Sequence, residues 1–254
     1  MMTEKKEKVY GKSDLWREAS STPPFCAGCQ EPLGAQLILE VIEDLGIEDK
    51  TIFLGGGGCV YSLPPMVKLD AMQCPKGRSV SIGSAIKQYL GDDAVVVIYQ
   101  DDNDTLATGT ESMIQTASRG DPVTVIMANI GSYGSTGWQM VSKANAINVP
   151  EIGKPNPDFN IDIVDLMREF EGVAYLARGS AHNPESVDTA RTYVKAAIQK
   201  QIDNAGFSLV DILMACPDGW GMTPAQSLKW VEEEMVSRFP PGEYKSVDQS
   251  QKGE

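Results

Sequence analysis

Two kinds of apolar pattern alternate along this chain, and their order predicts the fold class. Short apolar runs with no polar alternation are typical of strands covered on both faces, as in a parallel sheet. Five such runs begin at Thr51, Ala94, Pro122, Gly172 and Ser208. Stretches with the three- to four-residue spacing of amphipathic helices lie between them. The alternation predicts an α/β protein, a parallel sheet with helices on both faces.

The helical spacing also suggests where the helices and the domain boundaries lie. We predict helices with apolar faces over Leu33 to Leu45, Ile82 to Tyr89 and Leu106 to Ala117, the last closed by Gly120, and further helices over Ile161 to Phe170, Pro184 to Ile202 and Pro224 to Phe239. Residues 148–160 form a proline-rich loop. The chain then divides into an N-terminal extension (1–24), one α/β domain (25–238) and a C-terminal tail (239–254).

Composition narrows the range of partners and locations. The chain has 254 residues and a formal net charge of −13, which argues against nucleic acid or an anionic membrane as the main partner. No apolar run approaches the roughly 18 residues of a membrane span. The amino terminus lacks the apolar core of a signal peptide. We therefore expect a cytoplasmic protein with no membrane span.

An acidic turn follows the second apolar run. The stretch VVVIYQDDND, from Val95 to Asp104, ends in three aspartates with Asn103 among them. Ligands of parallel sheets bind outside the carboxyl ends of the strands, and clustered carboxylates suit Mg²⁺ or Ca²⁺. The spacing of a calcium-binding EF-hand loop is absent. A solvated acidic loop is the structural alternative to a cation site.

The five cysteines offer a second kind of site. Cys26 and Cys29 form one C-x-x-C pair, whereas Cys59, Cys74 and Cys216 are single. The pair alone is compatible with a redox dithiol, half of a metal site or two buried thiols. Zinc sites usually use two such pairs, whereas the thiolates of a [4Fe–4S] cluster need only meet in space. One pair plus distant single cysteines therefore favours a cluster.

Two features of the surrounding sequence disfavour other chemistry. A redox dithiol does not fit the context, because the helix after the pair opens with Glu31 and Pro32 and no strand precedes it. His182 is the only histidine and is expected to face solvent in a loop. A histidine-rich zinc site or a Ser-His-Asp triad is therefore not expected.

Several motifs together resemble one family. CAGCQEPLGAQLILEVIEDLGI, GGGGC, KGRSVSIGSAIK, YQDDNDTLATGTESMIQTASRGDPVTVIMAN, YGSTGWQM and CPDGWG occur in the order seen in the thiamine-diphosphate-binding β subunit of 2-oxoacid:ferredoxin oxidoreductases. The resemblance extends from Phe25 to Trp220 and implies the thiamine-diphosphate-binding fold. It also implies that four cysteines hold a [4Fe–4S] cluster beside the thiamine: Cys26, Cys29, Cys59 and Cys216. Cys74 has no such role and is expected to be a buried thiol.

The resemblance also implies a thiamine diphosphate site, although it assigns no catalytic residue to this chain. Asp102 takes the position of the aspartate that binds the Mg²⁺ bridging the diphosphate. Asn129 and the backbone carbonyl of Ser132 are the other candidate Mg²⁺ ligands. The remaining candidate cofactor-binding residues are Gly57, Gly58, Lys76, Gly77, Arg78, Asp101, Asn103, Asp104, Tyr133, Gly134 and Thr136.

Three departures from the family pattern predict weakened thiamine diphosphate binding. Asp101 and Asn103 replace the two glycines of the family's Gly-Asp-Gly-Asp loop, and Ile130 stands where a metal-binding Asn or Thr is expected. An ionised Asp101 about 5 Å from the diphosphate would be repelled by about 3 kcal/mol per unit charge at an effective dielectric near 20. Asn129 lies one position early in the chain. The family's His-Gly-Arg near the thiamine ring is Lys76-Gly77-Arg78 here.

The resemblance implies an oxidoreductase subunit that is not active alone. In the family, a 2-oxoacid is oxidatively decarboxylated to acyl-CoA, and electrons pass through the cluster to ferredoxin or a similar carrier. The expected partners are therefore the other subunits of a heteromer and that electron carrier. Two alternatives remain open: an enzyme subunit whose altered pocket takes another cofactor or substrate, and a non-catalytic scaffold. The glycines Gly55 to Gly58 argue against a scaffold if they leave room for a ligand.

Overall fold

A seven-stranded sheet organises the part of the chain that the structure describes, which in this computed structural model is residues 13–17, 24–131 and 161–247. The strands are β1 (Thr51–Gly55), β2 (Asp70–Gln73), β3 (Val95–Asp101), β4 (Thr124–Asn129), β5 (Val173–Ser180), β6 (Phe207–Leu213) and β7 (Gly242–Ser246). Their order across the sheet is β2-β1-β3-β4-β6-β5-β7. All neighbouring pairs run parallel except β5 and β7, which run antiparallel.

The five strands predicted from apolar runs are all present, and two more were missed. The four residues of β2 are exposed at the edge of the sheet, so they form no apolar run. The sequence of β7, GEYKS, lies in the segment predicted to be a tail, and that prediction is wrong for residues 242–246. The sheet gains this strand because β7 pairs with β5, a contact that local sequence does not show.

Helices cover both faces of the sheet, as predicted. They are α1 (Glu31–Leu45), α2 (Ser79–Leu90), α3 (Asp102–Leu106), α4 (Thr110–Arg119), α5 (Ile163–Arg168), α6 (Pro184–Ile202), α7 (Pro217–Trp220), α8 (Pro224–Trp230) and α9 (Val236–Arg238). A π-helical turn, Val231–Met235, joins α8 to α9. The helix predicted from Leu106 to Ala117 begins only at Thr110, because the chain turns at residues 107–109, and Leu106 ends the separate helix α3.

Side chains of β3 explain why its run has no polar alternation. Val97 and Tyr99 pack into the core on the face covered by α1 and α6. Val96 and Ile98 pack into the core on the opposite face, with side chains of α2 and α4. Because successive side chains of a strand point to opposite faces, a strand buried on both faces must be apolar throughout.

The order of the strands fixes where a ligand site lies. β2 follows β1 outward on one side of the sheet, whereas β3 and β4 extend on the other. The carboxyl ends of β1 and β3 therefore flank the point at which the strand order reverses, where open α/β sheets bind ligands. This arrangement brings the glycine run after β1 next to the acidic segment after β3.

Part of the predicted N-terminal extension contacts the domain. Trp16 forms an isolated antiparallel bridge with Val67, and its indole N–H donates to the side-chain carbonyl of Gln36 on α1. The backbone N–H of Lys68 donates to the Leu15 carbonyl at 2.6 Å. Among the described residues, none of the helices is both long and apolar enough to cross a membrane.

Candidate cofactor and cluster site

The Asp104 carboxyl group organises the loops at the carboxyl end of the sheet. Its Oδ2 atom accepts a hydrogen bond from the backbone N–H of Gly57 at 2.7 Å, and its Oδ1 atom accepts one from Gly77 at 2.8 Å. The side chain is fully buried. It thus ties the start of α3 to the loops after β1 and β2. The sequence named Asp104, Gly57 and Gly77 as candidate cofactor residues, and the structure brings all three together.

Asp101 has a structural role at the start of α3. Its Oδ1 atom accepts a hydrogen bond from the Asp104 N–H at 2.7 Å, so it caps the amino terminus of α3. Its Oδ2 atom lies against Gly58 and has no hydrogen-bond partner in the described structure. Burial, followed by the charges of Asp102 and Glu31, raises the pKa of Asp101 well above its usual value. Burial thus favours the neutral acid, whereas the repulsion expected from the sequence assumed an ionised Asp101.

The glycines after β1 accommodate protein side chains. A Cβ atom on Gly58 would lie 1.9 Å from Asp101 Oδ2, and one on Gly57 would lie 2.8 Å from Asp104 Oδ1. Gly58 also has φ of 77°, which other residues rarely adopt. The carboxyl groups of Asp101 and Asp104 thus account for these two glycines without reference to a ligand.

The candidate Mg²⁺ ligands have different surroundings. Asp102 is the first residue of α3 and is buried, as is Asn103 beside it. The side-chain amide of Asn129 lies 3.5 Å from Asp211 Oδ2, within a buried polar network. Ile130 packs into the apolar core, which agrees with the inference that it cannot bind a metal. Four further candidates lie outside the described residues: Ser132, Tyr133, Gly134 and Thr136.

The basic turn predicted near the thiamine ring lies at the start of α2. Lys76 and Arg78 are exposed, whereas Gly77 between them is buried. Gly77 has φ of 67°, and a Cβ atom there would lie 2.2 Å from the Thr108 carbonyl oxygen. Only glycine fits this close approach. Lys76 lies beside the glycine run, since its Cγ atom is 2.7 Å from a Cβ position on Gly57.

The four candidate cluster cysteines come from three separate parts of the sheet edge. Cys26 and Cys29 precede α1, Cys59 follows the glycine run after β1, and Cys216 follows β6. Cys26 is exposed, Cys29 and Cys59 are half-buried, and Cys216 is buried. No disulfide links any of the five cysteines, all of which the structure describes.

Electrostatic interactions show that three of these thiols lie near one another. Cys29 and Cys216 both raise the pKa of Cys59, after the larger effects of burial and Glu31. Burial, followed by Glu31, raises the pKa of Cys29 to about 12. Burial thus disfavours the thiolate forms of Cys29 and Cys59, which a bound metal or cluster would stabilise.

A zinc ion and a [4Fe–4S] cluster place different demands on the spacing of their cysteine ligands. No three His, Cys, Asp or Glu side chains among the described residues are grouped closely enough to hold a single metal ion. Four thiolates on one zinc ion would lie about 3.8 Å apart, given tetrahedral Zn–S bonds of about 2.3 Å. A [4Fe–4S] cluster binds each cysteine through a different iron and so accepts a wider spacing.

Glu31, the first residue of α1, was not identified from the sequence as a site residue. It is 1% exposed, and neither carboxyl oxygen has a hydrogen-bond partner in the described structure. Burial, followed by the charge of Asp102, raises its pKa to about 8. Glu31 interacts electrostatically with Asp102 on one side and with Cys29 and Cys59 on the other. One sequence signal could have identified Glu31: it is a charged residue that begins an apolar helix shortly after a C-x-x-C pair.

The two remaining residues singled out from the sequence lie at the ends of strands. Cys74, after β2, is buried as predicted, and burial followed by the charge of Asp104 raises its pKa to about 11. His182, after β5, is half-buried, and its Nδ1 atom lies 3.1 Å from Ser180 Oγ. The expectation that His182 faces solvent is thus only partly met, because the end of β5 holds its ring.

Comparison with known proteins finds oxidoreductase and synthase subunits that resemble this chain. Ketoisovalerate oxidoreductase subunit VorA of Methanothermobacter thermautotrophicus is 28% identical over 232 residues, which are 88% of this chain and 48% of the relative. 2-Oxoglutarate synthase subunit KorB of Methanothermobacter marburgensis is 27% identical over 84% of this chain and 74% of the relative. The chain thus spans about half the length of VorA.

A solved structure and a family match agree on the fold. The structure of 2-oxoglutarate:ferredoxin oxidoreductase from Magnetococcus marinus superposes with a TM-score of 0.74 and 20% identity, covering 92% of this chain and 84% of that one. This similarity confirms the predicted thiamine-diphosphate-binding fold. Residues 62–212, more than half of the chain, match the family described as "Thiamine pyrophosphate enzyme, C-terminal TPP binding domain". The chain belongs to this family of thiamine pyrophosphate enzymes.

Proposed function

We propose that this chain is the β subunit of a 2-oxoacid:ferredoxin oxidoreductase-type heteromer in the cytoplasm. The heteromer oxidatively decarboxylates a 2-oxoacid to acyl-CoA and passes the electrons through a [4Fe–4S] cluster to ferredoxin or a similar carrier. One observation carries the proposal: the cysteine-bearing loops and the Asp102 segment converge at the same edge of the sheet, with Glu31 in electrostatic reach of both. The names of the relatives, all oxidoreductase or synthase subunits, support it.

The donor set fits a cluster of the proposed type. Cys26, Cys29, Cys59 and Cys216 supply four thiols from loops at the same edge of the sheet, and none of them is tied up in a disulfide. Cys26 is the most exposed of the four, so this side of the site is accessible to solvent. The Cys26 Sγ atom lies 3.7 Å from Asp218 Oδ2. Electron transfer to a partner favours a cluster with such an exposed side.

The acidic segment fits a divalent cation with an incomplete set of protein ligands. Asp102 supplies one carboxyl ligand, whereas the apolar Ile130 supplies none. Mg²⁺ usually keeps several waters, so a water can take the missing position. Thiamine diphosphate, when bound, supplies the carbanion stabilisation and electron sink of the reaction. Asp104 supports the site by holding the Gly57 and Gly77 loops in place.

Anaerobic purification tests the cluster directly. We expect a brown protein with about four irons per chain, the stoichiometry of a [4Fe–4S] cluster. Cys29→Ser and Cys216→Ser should each lose iron, whereas Cys74→Ser, the matched control, should retain it. A colourless protein that carries one zinc ion would overturn the cluster assignment.

Activity requires the assembled heteromer. The complex isolated from its native source should reduce ferredoxin only when a 2-oxoacid and coenzyme A are both present, and the separated chain should show no turnover. Full activity of the separated chain would contradict the proposed subunit role. Testing several 2-oxoacids in the same assay identifies the substrate.

A second candidate function is an enzyme subunit that keeps the cluster but binds another ligand in the altered thiamine pocket. The position of Asn129 favours it, because the side-chain amide interacts with Asp211 in the buried network. Mass spectrometry of small molecules released from the native complex distinguishes the two. Thiamine diphosphate in near-equal amount to the chain supports the main proposal, and a different stoichiometric ligand supports the second.

A further inference from the structure

The side chain of Gln30 connects two of the segments that carry the cysteines. Its Oε1 atom accepts a hydrogen bond from the Ala215 N–H at 2.7 Å, and its Nε2 atom donates to the Ala181 carbonyl at 2.5 Å. Its backbone N–H also donates to the Ala215 carbonyl at 3.4 Å. The residue is 8% exposed. These bonds link the start of α1 to the ends of β5 and β6.

The position of Gln30 in the chain makes this link relevant to the cluster site. Gln30 follows Cys29 directly, and Ala215 directly precedes Cys216. The two hydrogen-bonded residues are 185 positions apart in sequence. Gln30 and Ala215 are each adjacent in sequence to a candidate cluster ligand. Movement of the Gln30 backbone relative to the Ala215 backbone would therefore change the distance between Cys29 and Cys216.

The Gln30 side chain bonds to the ends of two strands and does not cap its own helix. It occupies the N-cap position of α1, yet its side chain makes no capping hydrogen bond. An N-cap side chain usually accepts from the first turn of its own helix. Here the amide provides one acceptor and one donor to two different strand ends. An apolar side chain of similar size would leave the Ala215 N–H and the Ala181 carbonyl without these partners, at a cost in a buried site.

We propose that Gln30 is a positioning residue for the cluster, holding Cys29 and Cys216 at the separation that the iron–sulfur centre needs. This inference rests on the proposed function, because it requires the cluster to be bound by these cysteines. The amide does not touch the cluster in this role. It acts through the backbone of the two ligand-bearing segments.

Gln201 provides a matched control at the opposite end of the sheet. It is 1% exposed, and its Nε2 atom donates to the carbonyls of Val96 at 3.0 Å and Pro122 at 2.8 Å. Its Oε1 atom accepts from Thr124 Oγ1 at 3.2 Å. Like Gln30, it is a buried glutamine that bridges strand segments. It lies at the amino ends of β3 and β4, away from the cysteines.

The experiment compares Gln30→Leu with Gln201→Leu in the full chain loaded with its cluster under anaerobic conditions. Both variants should unfold at lower temperature. Only Gln30→Leu should release iron to a ferrous chelator faster than the unsubstituted protein, by about tenfold or more, because it loses two buried side-chain hydrogen bonds. Only Gln30→Leu should shift the electron paramagnetic resonance spectrum and the midpoint potential of the reduced cluster.

Equal iron release and unchanged spectra in both variants would overturn the positioning role while leaving the cluster in place. Absence of iron from the unsubstituted chain would instead overturn the proposed function, so the two failures are distinguishable. If Gln30→Leu does not fold, Gln30→Glu serves in its place. It keeps the acceptor for the Ala215 N–H and removes the donor to the Ala181 carbonyl, and its spectrum and iron-release rate should still change.

Discussion

The carboxyl group of Asp104 accepts a hydrogen bond from the backbone N–H of Gly57 at 2.7 Å, and this bond joins the segment after β3 to the glycine run after β1. A second bond, from Gly77 at 2.8 Å, joins the loop after β2. Both lie at the point where the strand order reverses. The geometry of the candidate site therefore depends on one buried side chain.

Asp104→Asn should lower the free energy of unfolding by about 2–4 kcal/mol, because an amide has one acceptor oxygen and its NH₂ group faces a second backbone N–H. Denaturant titration of the purified chain measures the change. Asp49→Asn, at an exposed position, is the control and should change stability by less than about 0.5 kcal/mol. Equal stability of the two variants would show that the Asp104 bridge is not needed.

Asp101→Asn and Asp102→Asn should affect thiamine diphosphate binding differently. Asp101 is buried and caps α3, and an asparagine keeps the capping oxygen, so affinity should change by less than about threefold. Asp102→Asn removes the proposed Mg²⁺ ligand and should weaken binding by at least about tenfold. Calorimetric titration with thiamine diphosphate and Mg²⁺ tests both. A large gain in affinity from Asp101→Asn would restore the idea of an ionised, repelling Asp101.

Glu31→Gln should stabilise the cluster-free chain, and increasingly so as the pH rises from about 4.5 to about 8. Burial raises the pKa of Glu31 from 4.5 to about 8. Between these values the unfolded chain has released the proton while the folded chain retains it, so the free energy of unfolding falls with rising pH. The gain from the substitution reaches on the order of 5 kcal/mol at most.

Denaturant titrations at pH 5 and pH 8 measure the effect of Glu31→Gln. Glu234→Gln, at an exposed position on the π-helical turn, is the control and should give the same small difference at both pH values. A stabilisation by Glu31→Gln that does not depend on pH would contradict the raised pKa.

Arg178→Met should lower the free energy of unfolding by about 3–5 kcal/mol, because it leaves the buried carboxyl group of Asp211 without its main partner. The Arg178 Nε atom lies 2.6 Å from Asp211 Oδ2, and its Nη2 atom lies 2.6 Å from Asp162 Oδ1. Asp211 is fully buried. The doubly substituted Arg178→Met, Asp211→Asn chain should lose less than the sum of the single losses. Strict additivity in this cycle, measured by denaturant titration, would rule out the coupling.

The apolar pattern determined most of the architecture. Val96, Val97, Ile98 and Tyr99 are apolar in succession, and only a strand covered on both faces needs such a run. Amphipathic spacing placed α6 at Pro184–Ile202, the range predicted from the sequence. Local sequence was sufficient in these cases because the burial of a helix or strand face requires apolar residues at a characteristic spacing along the chain.

Local sequence was insufficient where an element depends on a distant partner. The strand β7 is mostly polar, and it forms because it pairs in antiparallel orientation with β5. The short strand β2 is exposed and exists because it pairs with β1. Neither leaves an apolar pattern, because the residues of β2 are exposed and β7 packs only the partly buried Tyr244 against the core.

The identities of the candidate site residues came from the sequence, whereas their roles depend on tertiary contacts. The sequence named Asp101 and Asp104 together, but only the folded chain shows that one caps α3 and the other bridges two loops. Glu31 and Gln30 gained their roles because folding brings the start of α1 beside Asp102 and Ala215. Burial then decides the chemistry, since desolvation raises the pKa of a carboxyl group that sequence alone would take to be ionised.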